Sequence, residues 1–246
     1  MPDLIRAGLL VPAGNTTFEA DFASVRPEGV TLHGHRIAAR GEYAAECMEA
    51  MDDINSCVPE GCRMLARAGM HAIAYGFTTA SFYRGVAYAR GLVGQMAEAS
   101  GARAFVPSLA VLEALEFLGA RKISVCTPYP EWNNEVLAGF LAETEFEVLN
   151  LDGDPRLTDE AAAGGWMWHQ DPTGAARFVG DHCHPDADVV LCPCTSWRVF
   201  EVVDEIERSC GRPVVTANQA TIWQVFRDLR IPLALSDRGE LFRRAL

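Results

Sequence analysis

Lysine is nearly missing from this chain. Lys122 is its only lysine, and it directly precedes the apolar run Ile123 to Cys126, where a strand is expected to begin. No glycine-rich loop ends in Gly-Lys-Ser/Thr, so the phosphate cradle of nucleotide hydrolysis is absent. A lysine at a strand edge is also not the loop amine that a Schiff base with pyridoxal or a carbonyl substrate needs. Positive charge is scarce as a whole: 21 Lys+Arg stand against 33 Asp+Glu, for a net charge of −12 spread along the chain. That balance leaves no basic surface from which counterion release could drive binding to nucleic acid. Long apolar runs are missing too. Met1 to Leu10 carries one acid and one base around a short apolar stretch, unlike a signal peptide or a membrane span. The expectation is a cytoplasmic protein with neither nucleic-acid nor membrane partners.

What is present fits a compact α/β chain. At 246 residues with 49% hydrophobic content, it can bury a large core and sits near the length at which one domain becomes two. Its eight cysteines are irregularly spaced, which predicts reduced thiols, most of them core residues.

The recurring unit is a short apolar run, a loop of small hydroxyl or amide residues, and then a stretch of helical period. Ala7 to Val11 opens into Pro12-Ala13-Gly14-Asn15-Thr16-Thr17 and a helix over Phe18 to Ser24. His71 to Tyr75 opens into Gly76-Phe77-Thr78-Thr79-Ala80-Ser81 and a helix through Glu98. Lys122 to Cys126 opens into Thr127-Pro128-Tyr129-Pro130 and a helix near Asn133 to Thr144. Asp188 to Leu191 opens into Cys192-Pro193-Cys194-Thr195-Ser196 and a helix reaching about Cys210. A strand over Pro213 to Thr216 and a helix over Gln219 to Arg227 close the series. Two such units in each half predict two similar α/β lobes related by duplication, with the cleft between them. The boundaries read as 1–108 plus 217–246 for the first lobe and 109–216 for the second.

Cys194 is the leading candidate for chemistry. It follows a buried strand and precedes Thr195 and Ser196, either of which suits the cap of a next helix, whose free N–H groups would stabilise a thiolate. An inert buried thiol is the competing reading, and it is the preferred one for Cys192. Thr78, Thr79 and Ser81 offer three hydroxyls at a helix start, a cradle for a carboxylate. Ordinary capping would use only one. Asn15, Thr16 and Thr17 repeat the pattern, with Asn15 able to offer an amide to a second carboxylate, although capping explains that cluster nearly as well. Tyr129 can point its phenol at the same anion or pack at its loop base. Arg36 and Arg40 are candidate carboxylate clamps or plain surface residues. His182-Cys183-His184 and Cys192-Pro193-Cys194 contain metal-ligand types, but adjacent ligands do not readily converge on one tetrahedral ion, so no metal is expected. The Gly153 to Gly165 stretch is a candidate lid.

These residues carry a resemblance. Val11-Pro12-Ala13-Gly14-Asn15-Thr16-Thr17-Phe18-Glu19 is similar to the Pro-x-x-Asn-Thr-Thr-x-Glu signature of maleate isomerases, and Ser81-Phe82-Tyr83-Arg84-Gly85 to a stretch of arylmalonate decarboxylases. The whole chain resembles the aspartate/glutamate racemase superfamily, in its maleate isomerase and arylmalonate decarboxylase branch. The resemblance implies an α/β fold of two similar Rossmann-like lobes with parallel sheets, related by a pseudo-twofold, with the active site in the cleft between them and usually two cysteines facing each other across the substrate. The second corresponds to Cys194. The first position, just before Thr78, is Phe77, which can neither take a proton nor attack an alkene. Decarboxylases of this type also lack the first cysteine, usually with glycine in its place.

The expected function is therefore a cofactor-independent decarboxylase of a malonate-type diacid. Cys194 is the proton donor, and Thr78, Thr79, Tyr129, Thr195, Asn15, Pro12, Phe77 and Ser81 line the site of a mono- or dicarboxylate. The alternatives are a maleate isomerase or racemase relative with altered chemistry, and a carboxylate-binding protein without turnover. Either a monomer or a homodimer agrees with the analogy.

Overall fold

The computed structural model describes residues 4–41, 47–158, 171–233 and 235–244. Its first half holds strands β1 (Ile5–Pro12), β2 (Val30–Ile37), β3 (Ala72–Tyr75) and β4 (Arg103–Phe105), with helices α1 (Phe18–Ser24), α2 (Met48–Ala66), α3 (Thr78–Phe82), α4 (Gly85–Ser100) and α5 (Pro107–Phe117). The second half holds β5 (Lys122–Thr127), β6 (Glu147–Gly153), β7 (Val189–Cys192) and β8 (Val214–Thr216). Its helices are α6 (Glu131–Ala142), α7 (Pro155–Thr158), α8 (Pro172–His182), α9 (Val203–Cys210), α10 (Ala217–Asp228) and α11 (Glu240–Arg244), with a 3-10 turn at Phe200–Val202. No helix among the described residues is long and apolar enough to cross a membrane.

Both sheets are parallel and four-stranded, and they share one strand order: β2-β1-β3-β4 in the first lobe, β6-β5-β7-β8 in the second. The runs of the central strands are buried throughout, from Leu9 to Val11, Ile73 to Tyr75, Ile123 to Cys126 and Val189 to Cys192, and Ser124, the one polar residue within them, is buried with the rest. Strands covered on both faces by helices read as continuous apolar runs, which is why they are visible in the sequence. In each sheet the chain leaves its first strand in opposite directions, so the switch point falls between β1 and β3 and between β5 and β7. Ligands bind at the carboxyl ends of such strand pairs, and the loops found there are Pro12–Thr17, Gly76–Thr79, Pro128–Pro130 and Pro193–Val199.

One hydrophobic cluster runs through both lobes, joining Phe18, Phe22 and Phe82 of the first to Tyr129, Phe140, Trp197 and Phe226, and a second fills the outer face of the first sheet around Met51, Ile73 and Tyr75. Helix α10 packs on α5 and α1 as well as on β8.

Two expectations fail. The single helix from the Thr78 loop through Glu98 is broken into α3 and α4, because Gly85 takes a left-handed φ of 84° and a side chain there would lie 2.2 Å from the Glu143 carboxylate. That carboxylate, reaching from the other lobe, accepts the Val86 N–H at 2.8 Å. The helix expected directly after Cys194 does not start there. Residues 193–199 form a turn in which the N–H groups of Cys194, Trp197 and Val199 bond to the Cys192, Cys194 and Trp197 carbonyls, and the α-helix begins only at Val203. Of the candidate lid, positions 159–165 lie outside the described residues.

Candidate active site

The four loops meet between the lobes. Thr78 and Thr79, in the first turn of α3, are both buried. Opposite them stands Tyr129, 5% exposed, whose hydroxyl lies within hydrogen-bonding reach of the Thr78, Thr79 and Cys194 side chains. Burial raises the phenol's pKa well above its ordinary value, so Tyr129 is a neutral donor. Its proton goes to the carbonyl of Pro193, the residue before Cys194. Cys194 itself is 6% exposed. Two threonine hydroxyls, one phenol and one thiol thus share a small buried volume, with no carboxylate or cationic side chain among these four.

Direct hydrogen bonds between the lobes hold this group together. The Thr195 N–H donates to Thr78 Oγ1 at 3.1 Å, and its hydroxyl donates to the Gly76 carbonyl at 2.8 Å. Asn15 gives its amide to the Gly76 carbonyl at 3.1 Å and to Thr195 Oγ1 at 3.2 Å, while its own oxygen accepts from the Thr17 and Phe18 N–H groups. Thr17 Oγ1 donates to the Ser196 carbonyl at 3.0 Å. Gly76 must be glycine for this approach, since a Cβ there would sit 2.8 Å from the Phe18 ring. Behind Cys194, Asn218 of α10 donates to the Thr195 carbonyl at 3.0 Å and to Asp21 Oδ2 at 2.6 Å. Burial pushes the Asp21 carboxyl up to about 7, against the opposing pull of that Asn218 hydrogen bond.

The structure brings Cys194, Thr78, Thr79, Tyr129 and Thr195 together as the sequence suggested, and changes the part several others play. Both amide hydrogens of Asn15 are taken up, one by the Gly76 carbonyl of its own lobe and one by Thr195 of the other. Ser81 is turned out of the cradle: its hydroxyl donates to the Thr78 carbonyl at 2.7 Å, and Ser108 closes on it from α5. Pro12 ends β1, and its carbonyl accepts from Arg36. Arg36 is an exposed brace on the loop after β1, donating also to the Ala13 and Asn15 carbonyls and pairing with Glu19. The Arg40 N–H caps Asp53 at 2.7 Å, and Thr16 is exposed. Phe77 is half-buried, its ring 6.3 Å edge-on from Tyr75. Cys192 is sealed in β7, and burial raises its thiol pKa far above the ordinary value. Among the described residues no three His, Cys, Asp or Glu side chains gather as a metal site requires.

Sequence reasoning missed Asn133. It is fully buried in α6 and donates to Thr79 Oγ1 at 3.0 Å. Locally it is one of two asparagines in a helix's first turn, indistinguishable from a cap, and its partner lies 54 positions away. Asn218 and Asp21 were missed for the same reason.

The model of the arylmalonate decarboxylase family matches residues 7–242. The arylmalonate decarboxylase of Bordetella bronchiseptica is 30% identical over 226 residues, covering 89% of this chain and 88% of that protein. A maleate isomerase of Pseudomonas putida is 27% identical over 98% of both chains. Among solved structures, a doubly substituted arylmalonate decarboxylase in a liganded form aligns with a TM-score of 0.81 at 27% identity, over 98% of this chain and 99% of that one.

Proposed function

The chain belongs to the arylmalonate decarboxylase family, and on that premise we propose that it decarboxylates a substituted malonate-type diacid without a cofactor, with Cys194 as proton donor. The observation that carries this reading is the pairing of one buried thiol with a neutral hydroxyl cradle, while Phe77 occupies the position from which a second thiol would act.

One carboxylate of the substrate lies against Thr78, Thr79 and Tyr129. Being charged, it is a stronger acceptor than the Pro193 carbonyl and takes over the Tyr129 proton. The other carboxylate faces the apolar side formed by Phe77, where leaving as neutral carbon dioxide is favoured over remaining ionised. The bond between that carboxylate and the central carbon breaks, and its electron pair flows into the retained carboxylate as an enediolate. The hydroxyl donors, already in place, stabilise charge where it develops. Cys194 gives its proton to the central carbon from one face, and the resulting thiolate recovers a proton from solvent. A prochiral carbon then yields a single enantiomer.

A second reading, cis-trans isomerisation of maleate, is favoured by the Asn15-Thr16-Thr17 loop and by the maleate isomerase relative that spans nearly the whole chain. One experiment separates them. Phenylmalonate, methylmalonate and maleate are offered in deuterated water to the wild type and to Cys194→Ala. Carbon dioxide release with deuterium at the α carbon, lost in the variant, is the expected result. Fumarate from maleate with no loss of carbon dioxide from either malonate would overturn the proposal.

A further inference from the structure

Asn133 is 0% exposed, and its side-chain oxygen Oδ1 has no hydrogen-bond partner. A buried carbonyl left unsatisfied is unfavourable and calls for a reason. Its amide nitrogen shows one: Nδ2 donates to Thr79 Oγ1 at 3.0 Å. A hydroxyl has a single proton. When its oxygen accepts from an amide, that proton is free to point elsewhere, here toward Tyr129 and the cradle. Turned the other way, Asn133 would take the Thr79 proton, and the threonine would face an incoming carboxylate with lone pairs. Thr78 is treated alike, since its oxygen accepts the Thr195 N–H at 3.1 Å. Both hydroxyls come from the first lobe, and both groups that orient them come from the second.

We propose that Asn133 is a positioning residue that fixes Thr79 as a hydrogen-bond donor to the substrate carboxylate, which rests on the diacid reading above. It acts through Thr79 alone. Its orphaned oxygen is the consequence of the only amide orientation that leaves the Thr79 proton available.

The test is a double-substitution cycle in the Cys194→Ala protein, which separates binding from turnover. Calorimetry measures the affinity for phenylmalonate and for maleate. Thr79→Val is expected to weaken binding about tenfold, the range of a lost hydrogen bond to a charged group. Asn133→Asp should weaken it at least as much, because a carboxylate accepts the Thr79 proton and adds a like charge. Asn133→Ala should weaken it severalfold when Thr79 is present and not at all beside Thr79→Val. Equal effects of Asn133→Ala in both backgrounds, or none in either, overturn the proposal. The same cycle read on urea stability without ligand is an independent check: coupling between the two positions supports the Asn133–Thr79 bond on which the proposal stands, and strict additivity overturns it. Should neither diacid bind the parent, the diacid reading fails while the stability cycle still judges Asn133.

Discussion

The two lobes use one strand order and leave it differently. At the first switch point β3 runs through Gly76 and Phe77 straight into α3, so Thr78 and Thr79 sit on a helix turn whose geometry is fixed by local hydrogen bonds. At the second, β7 runs into a turn of residues 193–199, and its helix waits until Val203. The first lobe therefore presents rigid hydroxyls. The second presents a thiol on a strand-to-turn exit, fixed mainly by bonds to the other lobe through Thr195 and Ser196. One strand order thus carries hydroxyls held by a helix turn in one lobe and a thiol on a turn in the other, and that turn depends on the interface for its shape.

The largest expected effect tests that division directly. Cys194→Ala should lower turnover of the preferred malonate about 10³-fold or more, the range of a lost general acid, with little change in KM, because the cradle belongs to other residues. An equal loss in KM would mean the two halves are not separable. Next comes pH. The Asp21 carboxyl, at about 7 in the folded protein against an ordinary 3.8, binds more protons folded than unfolded between those values. Its contribution to stability is therefore fully present below about pH 4 and is lost as pH rises toward 7. The loss is about 4 kcal/mol at most. Asp21→Asn should remove that part of the slope and be more stable than wild type at pH 8, as read by urea unfolding across pH.

A smaller effect is expected of Thr195→Val, which keeps the shape but leaves one Asn15 amide hydrogen without its acceptor. Stability should fall by about 1–3 kcal/mol, and hydrogen exchange should quicken in both the Gly76 and Cys194 loops. Protection lost in one loop alone would show that the lobes do not hold each other. The smallest signal is Phe77→Cys. If the two halves face each other across the reacting carbon, a thiol at 77 should start slow deuterium exchange at the α carbon of the product, followed by proton NMR. No exchange would place Phe77 away from that carbon.

Much of this was legible in the sequence. The four central strands are apolar runs of four to six residues because helices cover both faces of the sheets, and the residues after each run are where a switch-point site must form. That reasoning grouped Cys194, Thr78, Thr79 and Tyr129, and the structure gathers them between the lobes. Ser81 misled because three hydroxyls in four positions look alike on paper, while the helix turn directs Ser81 to the Thr78 carbonyl and Ser108. Thr195 and Ser196 suit a cap, yet no helix follows, because the Thr195 N–H and hydroxyl are drawn to Thr78 and Gly76 more than 100 positions away.

The sequence by itself determined the strands, the paired architecture and the place of Cys194 just past a buried strand, since these follow from local periodicity and from residue type. Only the tertiary structure decided which way each polar group points: Asn15 toward Gly76 and Thr195, Asn133 toward Thr79, Asn218 toward Asp21. A hydrogen bond needs a partner at about 3 Å, and in this protein those partners lie 54 or more positions away along the chain.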